Sequence, residues 1–140
     1  MEYSDISFSN PVVTETEFVE NTNFKSESKS IEIGTNIRKD IRYDKENKSV
    51  FDVEMTVEVG EKTNKSPFYI KVKMSAQFRL EKDGVSEDQR SLFEKVNAPA
   101  LLIGYIRPVV SYLTSLSRYP VYHIPFINFT DENKENDKTK

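Results

Sequence analysis

Apolar and polar residues alternate strictly in two stretches of the chain. In "FDVEMTVEV", Phe51, Val53, Met55, Val57 and Val59 alternate with Asp52, Glu54, Thr56 and Glu58. In "FYIKVKMSAQFRL", Phe68, Ile70, Val72, Met74, Ala76, Phe78 and Leu80 alternate with Tyr69, Lys71, Lys73, Ser75, Gln77 and Arg79. Successive strand side chains point to opposite faces, so each stretch predicts a strand with one apolar and one wet face. The intervening "GEKTNKSP", bounded by Gly60 and Pro67, predicts a hairpin loop. On the wet face, the acids of the first strand are expected beside the lysines of the second, each such pair contributing roughly 0.2–1 kcal/mol.

A third strand is expected in "SIEIGTNIRKDIRY", where Ile31, Ile33, Ile37, Ile41 and Tyr43 share one parity and Gly34 marks a bulge or a close approach. "DKENKS" turns the chain toward Phe51. A shorter strand, "EYSDISF", turns Ile6 and Phe8 inward and ends at Asn10-Pro11. The expected fold is α+β: a four-stranded antiparallel sheet, apolar on one face, that needs a cover.

The period changes after Gly84. "SEDQ" is a capping box, Ser86 accepting from the amide of Gln89 while Gln89 reaches back, and it opens a short helix through Leu92, Phe93 and Val96. Asn97 is expected to interrupt that helix, and Pro99 to stand in the first turn of the next, where a missing N–H costs nothing. In "NAPALLIGYIRPVVSYL", Leu102, Ile106, Val109, Leu113 and Leu116 form a one-sided stripe, with Leu101, Tyr105 and Tyr112 as a second face and Ile103 and Val110 between them. Pro108 inside this helix predicts a bend near residues 104–108, with Gly104 making room for the ring. Two apolar faces exceed what one sheet covers, so a second copy of the chain is expected on the helix. "RYPVYHIPFINF" follows, kept irregular by Pro120 and Pro125. The last residues, 130–140, hold no apolar side chain and predict a disordered polar tail after one domain over 1–129.

Composition narrows the function. With 140 residues the chain is long enough to bury a core, and it has no cysteine, so disulfides and thiolate chemistry are excluded. Acids and bases nearly cancel to a net charge of -3, which argues against a nucleic-acid binder. Lys71, Lys73 and Arg79 read as a solvated strip beside acids, not as an RNA patch. The opening "MEYSDISFSN" is no export signal, and no apolar run approaches the ~20 residues that cross a bilayer, so a soluble cytoplasmic protein without stable membrane insertion is expected. His123 is the only histidine, and phosphate-loop, dinucleotide and zinc-protease motifs are absent. No catalytic residue, metal or cofactor is expected, and the chain is not read as an enzyme.

The order of these motifs resembles the SecB protein-export chaperone family over roughly residues 3–129. "DISFSNP" stands near the start. Asn97, Pro99, Leu102, Tyr105 and Arg107 match the family's N-x-P-x-x-L-F-P-Y-x-R, and Pro120, Ile124, Ile127, Asn128 and Phe129 match P-x-x-x-L-x-P-[IV]-N-F. Ile103-Gly104 replaces the family's Phe-Pro, and the second helix that usually follows the Asn-Phe is not apparent. The resemblance implies a homotetramer, a dimer of dimers, with Leu102, Tyr105, Ile106, Val109, Leu113 and Leu116 at its interfaces. It implies an ATP-independent holdase for non-native polypeptides, with Phe18 and Phe24 in the crossover "VVTETEFVENTNF", and Phe126, as client contacts. It also implies contact with the translocase ATPase through outer-face acids. Asp5 matches one of these, whereas Ser9 and Lys71 stand where two others are expected. Lysine in place of an acid turns attraction into repulsion at a charge-driven contact. That departure points toward the family's branch dedicated to an antitoxin. The alternative is an assembly subunit of the same fold that binds one folded partner.

Overall fold

The computed structural model describes residues 6–25, 31–81 and 84–130. Five strands form one antiparallel sheet: β1 (Ile6–Phe8), β2 (Val12–Glu20), β3 (Thr35–Tyr43), β4 (Val50–Gly60) and β5 (Phe68–Leu80). The lateral order is β1-β5-β4-β3, and β2 also pairs with β5. β1 lies along Phe78–Leu80 and β2 along Phe68–Ser75, so the two share one edge of β5, separated by a break at Asn10-Pro11. Ser9 seals that break, donating its N–H to the Gln77 carbonyl and accepting the Gln77 N–H on Oγ, both at 2.9 Å. The sheet therefore has five segments where four strands were expected, because the crossover is itself a strand.

The two alternating stretches behave as their pattern requires. The inward side chains of β4 and β5, from Phe51 to Val59 and from Phe68 to Phe78, are buried. Phe78 sits at the centre of an aromatic cluster, 5.9 Å from Phe8, 5.8 Å from Phe51 and 5.6 Å from Phe93 between ring centroids. On the outer face the register sets Glu58 against Lys71, but Glu54 against Ser75 and Asp52 against Gln77. The expected pairing of β4 acids with β5 lysines therefore holds at Glu58 and Lys71 and not at Lys73, which faces Thr56.

The helix is continuous from Glu87 to Ser115. α1 (Glu87–Leu92) starts at the capping box, with Gln89 N donating to Ser86 Oγ at 3.1 Å and Ser86 N to Gln89 Oε1 at 3.3 Å. α2 (Ala98–Ser115) continues from it. Asn97 does not break the run. Pro99 has no N–H for the Lys95 carbonyl, and the chain widens into a π turn over Phe93–Asn97, closed by Ala98 N–H to Phe93 O. Lys39 Nζ, from the inner face of β3, donates to the Lys95 carbonyl at 3.2 Å. Joined in this way the helix has 29 residues, with a window of mean hydropathy 1.2, which by length and composition alone would cross a membrane. Its buried side, however, is packed on the sheet. α2 also runs unbroken through Pro108, and a Cβ built on Gly104 meets nothing within 4 Å, so that glycine is not making room for a neighbour.

Leu102 and Ile106, expected at an oligomer interface, are fully buried in the core of their own chain. The sheet takes the row Leu102, Ile106, Val110 and Thr114, so the opposite side of α2 presents Tyr105, Tyr112 and Leu116, with Val109 and Leu113 half-buried between.

Two tyrosines fix the sheet to acids. Tyr69 donates to Glu58 and Tyr43 to Glu94, both at 2.6 Å, and burial first, then the carboxylate, pushes each phenol up to about 12 from 10.0. A raised pKa in the folded chain means that the unfolded chain loses these protons first. This contribution is fully present below about pH 10 and is lost as the pH rises toward 12. The denaturant midpoint should fall through that window and fall less steeply in Tyr69→Phe; equal slopes would contradict the assignment.

Candidate functional site

After α2 the chain turns back along its own helix as an extended strap, residues 119–129. Pro120 and Pro125 keep it out of regular structure, so its backbone groups need side-chain partners. α2 supplies them from three successive turns. Arg107 donates through Nη1 to the Ile124 carbonyl at 2.9 Å and through Nη2 to the Pro125 carbonyl at 3.1 Å. Ser111 Oγ lies 3.3 Å from the Tyr122 carbonyl and 3.2 Å from His123 Nδ1. Thr114 Oγ1 accepts the Tyr122 N–H at 2.9 Å while donating to the Ser111 carbonyl at 3.0 Å. Tyr122 in turn meets Thr35 Oγ1 of β3 at 2.5 Å. Ile124 and Phe129 are buried beneath the strap. Val121 and Phe126 face solvent, Phe126 at 86% exposure.

The start of the strap carries an aromatic chain that joins two of the expected client contacts. Phe18 of β2 stacks on Phe68 at 6.0 Å, Phe68 meets Tyr119 edge-on at 6.2 Å, and Tyr119 meets Phe24 edge-on at 6.1 Å. Phe18 and Phe24 are half-buried in this cluster, so Phe18 is a strand residue and not part of a free loop. The cluster is pinned by Glu20, which pairs with Arg118 at 2.5 Å, and by Asn21, whose side chain donates to the Glu61 and Ser66 carbonyls at 2.7 Å each. Phe126 is held on the far part of the strap by the Arg107 fork one residue before it.

The outer sheet face reads differently from the expectation. Lys71 forms an ion pair with Glu15 of β2 at 2.8 Å, and Lys62 pairs with Glu17 at 2.6 Å. The hydrogen bond to Lys71 holds the Glu15 carboxyl below its ordinary value, and the same bond holds the Lys71 ammonium above its own. The lysine that replaces an acid thus comes with an acid beside it. Asp5 lies outside the described residues, as do 131–140 of the expected tail. Phe129, the last residue of the expected domain, and Thr130, the first of the expected tail, have helical geometry.

Sequence reasoning missed Thr114 and Ser111, whose hydroxyls hold the strap. A polar residue on the buried row of an amphipathic helix was the available signal. Among the described residues, no group of three or more His, Cys, Asp or Glu side chains is arranged to hold a metal ion.

Comparison with known proteins agrees with this layout. The family model described as preprotein translocase subunit SecB matches residues 3–138. An uncharacterized protein of Methanocaldococcus jannaschii is 30% identical over 125 residues, spanning 88% of this chain and 79% of that one. Among solved structures, the SecB-like chaperone Rv1957 of Mycobacterium tuberculosis superposes with a TM-score of 0.69 at 14% identity, over 89% of this chain and 92% of that one. Its structure contains a ChAD peptide from the HigA1 antitoxin.

Proposed function

The chain belongs to the SecB family, and from that premise we propose that it is a cytoplasmic, ATP-independent holdase that keeps non-native polypeptides soluble. Family membership supports the chaperone role. The observation that carries the reading further is the apolar surface left on a charged chain: Phe126 stands out from a strap whose backbone Arg107 clamps just before it and whose Phe129 is buried just after it, and Phe18 and Phe24 edge the aromatic cluster at its start. A rigid backbone presenting exposed aromatic side chains binds extended apolar segments without first having to order itself.

The clientele is narrow in this reading. Ser9 serves the sheet through Gln77, and Lys71 is matched by Glu15, so neither offers the acid that would attract a basic motor domain. The antitoxin peptide held by the mycobacterial relative supports a dedicated client of similar kind. The exposed side of α2, with Tyr105, Val109, Tyr112, Leu113 and Leu116, is the face proposed to bury against another copy in a homotetramer.

The test is light scattering from a slowly refolding client. Stoichiometric chain should suppress aggregation without nucleotide, and Phe126→Ser should weaken suppression several-fold with the fold intact. A well-folded chain that suppresses nothing, and that in pulldown retains one folded partner, would favour the assembly-subunit reading instead.

A further inference from the structure

A row of aromatic side chains crosses the inner face of the sheet. The register aligns Phe8 of β1, Phe78 of β5, Phe51 of β4 and Tyr43 of β3. Their rings follow one another at 5.9, 5.8 and 6.1 Å. The two ends lie open, Phe8 at 42% and Tyr43 at 49% exposure, while Phe51 and Phe78 are buried.

The middle of the row is covered in two different ways. Phe93, in the π turn, meets Phe51 and Phe78 edge-on at 6.0 and 5.6 Å and is itself buried. Beside it lies α1, which has no buried residue and ends on a half-exposed Leu92. Apolar burial therefore does not hold α1 down. Arg90 does so instead, its guanidinium standing 5.5 Å from the centre of the Tyr43 ring and 5.9 Å from that of Phe51. Its Nε donates to Glu94 Oε1 at 2.6 Å and its Nη2 to the Lys48 carbonyl. Glu94 is buried and also accepts the Tyr43 hydroxyl.

We propose that residues 84–92 form a gate over this row, latched by Arg90 and Glu94 and turning on the π turn. The kind of contact makes the segment a gate. A buried ion pair holds while both charges are matched, and losing one partner leaves the other uncompensated, so the latch is either closed or released. Both ends can pivot. The π turn is a local widening of the helix, a feature that recurs at functional sites. Gly84 has φ +82, and a Cβ there meets nothing within 4 Å. The flank of α1 is also free of packing, because a cleft of about 640 Å³ separates Lys45 and Lys48 from Glu87 and Ser91.

Release bares the faces of Tyr43 and Phe51 and joins them to the open end of the row. What the gate serves rests on the holdase reading: the uncovered rings take apolar side chains of a non-native polypeptide. They do so at the opposite end of β5 from Phe68 and its cluster.

Amide hydrogen exchange tests the gate by itself. The amides of Gln89–Leu92 should exchange at least about tenfold faster than those of Leu102–Val110, by an opening that leaves α2 closed. Arg90→Met or Glu94→Leu alone should speed the first group about tenfold further and leave the second unchanged. Arg90→Met combined with Glu94→Leu should slow it again, since two apolar side chains then replace the pair. Equal changes in both groups, or a double variant as fast as the singles, would overturn the gate. A second measurement addresses its use. The chain has no native cysteine, so Lys48→Cys with Ser91→Cys, joined across the cleft by a bis-maleimide, shuts the gate. The joined chain should suppress client aggregation several-fold less well than the same chain unjoined, and equal suppression would overturn the role in binding. Suppression by neither would overturn the holdase reading and that role with it, while exchange still decides whether the gate opens.

Discussion

Leu102→Asp should unfold the chain, whereas Val109→Asp combined with Leu113→Asp should leave it folded but dissociate its copies. Leu102 is fully buried, with Phe93, Ile106 and the inward side chains of the sheet in the same core. Removing its side chain costs about 2–5 kcal/mol in transfer and cavity terms. An unpaired carboxylate in that position adds several kcal/mol or forces its own protonation. Together these approach the roughly 5–15 kcal/mol that holds an ordinary domain folded. Val109 and Leu113 lie on the flank of α2, half-exposed in the single chain, and a carboxylate there keeps its water until a second copy covers it. Thermal melts followed by circular dichroism separate the two cases. Leu102→Asp should show no cooperative transition, and the flank variant should keep one while its sedimentation coefficient falls. A folded, smaller Leu102→Asp protein would return that residue to an interface.

The contrast shows where the sequence stops being readable. After Ile106 two rows run along the helix, one through Val109, Leu113 and Leu116 and one through Val110 and Thr114. Hydrophobicity alone favours the first, because the second ends on a hydroxyl. The sheet takes the second because Thr114 is not an orphan there: its hydroxyl bonds the Ser111 carbonyl and the Tyr122 N–H. That partner arrives from a strap that doubles back only in the folded chain. β2 escaped for a different reason. Most of its side chains are exposed on both faces, so no alternation marks "VVTETEFVE" as a strand. Its mark is chemical, in Glu15 and Glu17, which the register sets against Lys73 and Lys71 of β5. β4 and β5 were legible because burial acts on one face of each along their whole length. The proposed client contacts were suggested only by resemblance. Phe18 and Phe24 come together through Phe68 and Tyr119, a junction between distant parts of the chain.

Gly60→Ala should be among the most damaging single-methyl additions to the protein. Gly60 closes β4 with φ +76, in the left-handed region where a side chain costs roughly 1–2 kcal/mol. A Cβ there would stand 2.1 Å from the Phe68 carbonyl oxygen, a backbone atom fixed in the first residue of β5. No rotamer relieves that overlap, so the hairpin must open, and its 61–67 loop is held by Ser66 Oγ to Glu61 N at 3.1 Å and by the two Asn21 bonds. Strain of this kind adds of order 1–3 kcal/mol, for a total loss of about 3 kcal/mol or more. Gly84 supplies the control. Its φ of +82 is equally left-handed, but a Cβ there meets nothing within 4 Å, so Gly84→Ala should cost only the conformational part, about 1 kcal/mol. Gly104 has neither constraint, and Gly104→Ala in mid-helix should stabilise by up to about 1 kcal/mol. Urea midpoints of the three variants should therefore fall in the order Gly60→Ala, Gly84→Ala, Gly104→Ala, from lowest to highest. Gly60→Ala matching Gly84→Ala would mean that the strand ends give way to the added methyl, and that the contact with Phe68 is not a fixed part of the hairpin.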